Sequence, residues 1–108
     1  GDLPAAWASL AQDAGFETIT VRWTVGVDAR ALVWVETLNP GAVVRVDDVS
    51  EPARATVLFE GTEPTTGAAS SVVRLDFPSR RSIRAVRLVL DTRKVAGWNE
   101  LDAIGRVP

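Results

Sequence analysis

Apolar and polar residues alternate along this chain in short runs separated by turn residues. Residues 16–23, FETITVRW, place Ile19, Val21 and Trp23 on one face and Thr18, Thr20 and Arg22 on the other. That is the period-2 pattern of a strand with one buried face. Residues 31–36, ALVWVE, are apolar on both faces, as a central strand covered on each side would be. Between them lies a break at Gly26, Val27 and Asp28. Residues 42–46 form the next run, after the turn signal Asn39-Pro40-Gly41, and an acidic turn follows through Asp47, Asp48, Ser50, Glu51 and Pro52. Residues 56–60, TVLFE, alternate again and stop at Gly61. Residues 72–77 set Val73, Leu75 and Phe77 against Arg74 and Asp76. A basic turn at 78–82 leads into the most apolar run, 83–90, and residues 101–107 close the chain.

These runs predict seven strands at roughly ten-residue spacing, the signature of an antiparallel sandwich or barrel. No segment holds a 3.6-residue period. Residues 5–14 are alanine-rich, the nearest thing to a helix, and they meet Gly15. Parallel βαβ folds are therefore excluded. Trp23 and Trp34, inside strand patterns, are expected in the core. Arg80, Arg81, Arg84 and Arg87 read as a solvated basic face, with Asp76 and Glu60 across the sheet.

Composition narrows the chemistry. The 108 residues form one domain, 1–108, and 46% of them are apolar, enough for a single core. Lys and Arg total 12 against 14 Asp and Glu, a net charge of −2, so the basic excess of a nucleic-acid binder is missing. No apolar run approaches the roughly 18 residues that span a bilayer. The chain has no His and no Cys, which removes the commonest general base, thiol nucleophiles and most zinc sites. Ser70, Ser71 and Asp91 have no His with which to build a triad. The reading is not an enzyme. Residues 1–15 lack the basic and apolar blocks of a signal peptide, and the lack of cysteine leaves the compartment open.

Two segments are more specific: VETLNPGAVVRV at 35–46 and VRLVLDTRKVAGWNELDAIG at 86–105. In the first, a rigid turn feeds an apolar strand and sets a hairpin register. In the second, Gly97 frees the backbone before Trp98. Strict alternation there would put Glu100 and Asp102 on one face, roughly 7 Å apart. Together the segments resemble the discoidin-like, coagulation-factor type C modules of the galactose-binding-like superfamily.

That resemblance implies an all-β, antiparallel jelly-roll sandwich of about seven to eight strands in an extracellular or cell-surface protein. It implies a non-catalytic binding or adhesion module for glycan or a protein surface. Trp7, Trp98, Arg93 and Asn99 are its ligand-binding candidates, with loops 62–71 and 93–99 as contact surfaces. It also implies a structural calcium ion held by Asp2 and Glu100, in a donor set thinner than calcium's usual six to eight oxygens; Ala5 stands where the family carries Thr. The family's first β-segment would precede Trp7 and is not within 1–108. The alternative reading follows from that gap: a self-assembly unit, homo-oligomer or filament, pairing through an open sheet edge.

Overall fold

The two longest strands organise everything else. A computed structural model describes residues 7–8, 16–37, 43–61, 70–91 and 100–108, with the backbone alone at 7, 8, 37, 70, 71 and 100–102. In chain order the strands are β1 (Trp7–Ala8), β2 (Phe16–Thr37), β3 (Val43–Glu51), β4 (Arg54–Glu60), β5 (Ser70–Asp91) and β6 (Glu100–Val107). They form one antiparallel sheet in the order β1-β6-β2-β5-β3-β4.

β2 and β5 each run 22 residues and pair along their length. The sequence breaks at Gly26 and at Pro78 predict turns, and the structure instead carries the strands through both. The register shows how. Residues 23–26 of β2 face Arg84 alone, and residues 77–80 of β5 face Arg30 alone. These paired bulges bend both strands at one corner. Pro78, which has no N–H to donate, lies inside the second bulge and leaves no ladder bond unmade. Four expected strands thus become two, giving six elements among the described residues rather than seven or eight.

Bending doubles the sheet over its own apolar side. Before the corner β2 pairs with the C-terminal half of β5, which also pairs with β3; beyond it β2 lies between the N-terminal half of β5 and β6. Val21, Val46, Val86 and Leu88 from the first half share one cluster with Leu32, Trp34, Val73 and Ile104 from the second. Trp23 and Trp34 are both buried, as their positions in the pattern imply. β4 ends where Gly61 takes a φ of 145°, a region that favours glycine, and its N–H donates to the Val44 carbonyl at 2.9 Å.

The bulges expose backbone carbonyls, and arginines cap them. Arg84 donates to the Thr24 carbonyl at 3.0 Å and Arg80 to that of Asp28 at 3.4 Å. Arg106, only 3% exposed, donates through Nη1 to the carbonyls of Val25 and Ile83. Its guanidinium lies 4.5 Å from the centre of the Trp23 ring. The expected basic face is therefore divided between this corner and two aspartates. Asp76 and Glu60 take other partners, Arg74 at 2.8 Å and Arg45 at 3.7 Å.

Two further expectations are corrected. The acidic stretch at 47–51 is strand, because β3 continues to Glu51 and both aspartates find arginines. In β6, Ala103 pairs with Val35 and Leu101 with Glu36, so Asp102 is an extra residue in the ladder. That bulge interrupts the alternation on which a shared face for Glu100 and Asp102 depends.

Candidate functional site

One recess lies on the outer face of the half-sheet made by β2, β5, β3 and β4. Alternation sends Ile19 and Val21 toward the core and turns Phe16 and Thr18 outward. On β5 the matching outward residues are Arg87 and Val89, since Thr18 pairs with Val89. On β3, Asp47 sits directly across from Arg87. Arg45 is two residues from Asp47 and pairs across with Glu60 of β4. The result is a shallow groove of about 510 Å³.

Its floor is a charge network. Arg45 Nε donates to Asp47 Oδ1 at 2.8 Å, and Arg87 donates to Asp47 Oδ2 through Nη2 at 2.7 Å and Nε at 3.2 Å. Glu60 reaches Arg45 at 3.7 Å. The Asp47 side chain is 1% exposed, against 39% for Arg45 and 36% for Arg87. Burial alone would raise the Asp47 carboxyl, but the hydrogen bonds and charges of Arg45 and Arg87 outweigh it and hold the group below the usual carboxylate range. The hydrogen bond to Asp47, with its charge, likewise raises Arg45. A buried carboxylate thus holds two half-exposed guanidiniums in place, and Phe16, 63% exposed, lies at the groove's end.

A second recess, of about 450 Å³, opens at the β3–β4 turn. Asp48, on the opposite face of β3 from Asp47, accepts from Arg81 Nε at 2.9 Å and from the Ser50 N–H at 2.9 Å. Ser50 Oγ accepts from the N–H groups of Arg84 and Ala85. Those N–H groups lie where the β3–β5 ladder ends at Val86. Polar side chains and Arg54 line this recess, and among the described residues no aromatic one does.

Of the residues singled out from sequence, Asp2, Arg93, Trp98 and Asn99 lie outside the described residues. Trp7 and Glu100 are described in backbone only: β1 pairs with β6 so that Trp7 faces Leu101 and Ala8 faces Glu100. The two candidates therefore stand one position apart on adjacent strands. Among the described residues no group of three or more acidic, His or Cys side chains is placed to hold a metal. Among them, too, no helix is long and apolar enough to cross a membrane. Phe16 and Arg45 were not singled out from sequence, and Arg87 and Asp47 were read only as parts of a basic face and an acidic turn, not as one cluster. Only the register that sets Asp47 opposite Arg87, forty positions away, reveals them.

No family model matches the chain, and no curated protein matches it. Among solved structures it is similar to one named "CpGH89CBM32-6 produced by Clostridium perfringens". The TM-score is 0.65 at 14% identity, over 94% of this chain and 75% of that one. The chain has a β-sandwich fold. At this identity the likeness is one of fold alone.

Proposed function

We propose that this chain is a non-catalytic glycan-recognition module of the discoidin-like kind, with a jelly-roll arrangement, working in an extracellular or cell-surface protein. The observation that carries the reading is the fold likeness, across 94% of the chain, to a structure whose name marks it as a carbohydrate-binding module attached to a glycoside hydrolase. The missing His and Cys support a binding rather than a catalytic role. In this reading Trp98 and Trp7 supply apolar surface for a sugar ring, and Arg93 and Asn99 grip its hydroxyls. Asp2 and Glu100 take part in a structural calcium site that steadies the same end of the sandwich.

The test is a glycan array followed by isothermal titration of the best hits, with 2 mM calcium and with chelator. Saccharide binding that falls in Trp98→Ala supports the reading. An array with no hit in either condition, from folded protein, refutes it. Equal binding and equal melting temperature with calcium and chelator would remove the metal from the proposal.

A further inference from the structure

We propose that Arg45 and Arg87, held on Asp47 at the outer face of β3 and β5, bind the anionic group, carboxylate or sulfate, of an acidic saccharide. The inference rests on the glycan-recognition reading and deepens it, naming a ligand class and a site made from strands rather than loops.

The first support is geometric. Arg45 Nε donates to Asp47 Oδ1 at 2.8 Å, and Arg87 donates to Asp47 Oδ2 through Nη2 at 2.7 Å and Nε at 3.2 Å. Anchoring on the two oxygens of one carboxylate keeps the guanidiniums side by side in one groove. Nη2 of Arg45 and Nη1 of Arg87 have no hydrogen bond among the described residues. Both are donors only, so a ligand atom that meets them is an acceptor, and a charged acceptor makes the strongest bond. Guanidiniums already held in one geometry lose little freedom when they bind. Asp47 is a positioning residue, since its side chain is 1% exposed and both its oxygens are taken.

The second support is charge. Two guanidiniums share one buried carboxylate, which leaves one positive charge over. Among the described residues lining the groove, Glu60 is the other carboxylate, and it balances that charge loosely. It is 66% exposed and stands 3.7 Å from Arg45, beyond hydrogen-bond range. Exposed pairs of this kind contribute little, so an incoming anion displaces Glu60 at small cost. Arg22, exposed on the same face of β2, adds a cation to the approach.

The third support is room for a sugar. The groove, about 510 Å³, falls within the usual range for small-ligand sites, on the order of 300–1,000 Å³. Thr20 lies directly across from Arg87 on β2, which sets their Cβ atoms about 4.5–5.5 Å apart. Thr18 lines the groove two residues before it. Their hydroxyls suit the sugar's own.

Amide-resolved NMR titration of the full chain tests this, using galacturonate, galactose 6-sulfate, galactose and sodium sulfate. The expected result is saturable shifts at Arg45, Asp47 and Arg87 with an acidic sugar, at least tenfold tighter than with galactose. Whichever acidic sugar binds tighter names the anionic group. Arg87→Lys keeps the charge on Asp47, loses Nη1 and should weaken binding about tenfold. Glu60→Gln removes the competing carboxylate from an exposed position and should tighten binding about two- to fivefold with the fold unchanged. Arg74→Gln, on the other half of the sheet, should change nothing. Acidic sugars that shift none of the three amides overturn the site, and glycan-array hits lost in Trp98→Ala would then leave the general reading intact. Sodium sulfate binding as tightly as the acidic sugars overturns the saccharide assignment. Glu60→Gln without effect, or Arg74→Gln weakening binding as much as Arg87→Lys, overturns the cluster in favour of diffuse charge attraction.

Discussion

Replacing Arg106 with methionine probes the corner that makes the fold. Arg106 is 3% exposed and holds two carbonyls, Val25 O inside the bulge that bends β2 and Ile83 O on β5 beside it. The bond to Ile83 O, at 2.9 Å, is buried; losing its donor strands a buried acceptor, at about 1–3 kcal/mol. The guanidinium over the Trp23 ring, 4.5 Å from its centre, contributes about 1–2 kcal/mol more at a desolvated site. Against these stands the cost of keeping a charge out of water, which methionine relieves. Because two carbonyls and a ring face lose their partner together, the structural losses should win, with net destabilisation of about 2 kcal/mol. For a domain of this size that is a fall of roughly 8–16 °C in melting temperature. Arg106→Lys keeps the charge and one donor but loses the planar stack, and should fall about half as far. Thermal and urea unfolding followed by tryptophan fluorescence would measure both. A methionine variant as stable as the parent, or more so, would refute the reasoning, because desolvation would then outweigh the bonds that close the corner.

Trp34→Phe should cost at least about 1 kcal/mol more than Trp23→Phe in urea midpoints at constant m. Trp34 Nε1 donates to buried Glu36 Oε2 at 3.3 Å, whereas Trp23 Nε1 is buried with no hydrogen-bond partner among the described residues; equal costs would contradict this. Asp47→Asn should flatten the acid side of the stability profile. Its folded pKa lies below the unfolded value, so its contribution is complete above about pH 4 and is lost as pH falls through the folded value. The gap between parent and variant should therefore narrow on acidification, and a constant gap down to pH 2.5 would be the contrary result. Ser50→Ala should destabilise by about 1–2 kcal/mol in the same urea assay, because its Oγ serves the N–H groups of Arg84 and Ala85 and donates to the Ala85 carbonyl. No change would mean water replaces the hydroxyl.

Local pattern determined much of this protein. A side-chain period of two is a property of any strand, so the runs containing Val21, Trp23, Trp34 and Val73 declare an all-β chain and name much of its core before any pairing is known. Gly61, with its positive φ, marks the end of β4 for the same local reason. What local pattern could not carry was the fate of Gly26 and Pro78. Each is a turn signal by itself and becomes a bulge only because its strand has a partner that bends with it. The burial of Asp47 and Asp48 was hidden likewise: two adjacent carboxylates read as a solvated turn until Arg87 and Arg81 arrive from β5. Alternation is set between neighbouring residues, whereas the charge pairs, the corner and the groove depend on register between segments tens of residues apart, which only the closed sheet decides.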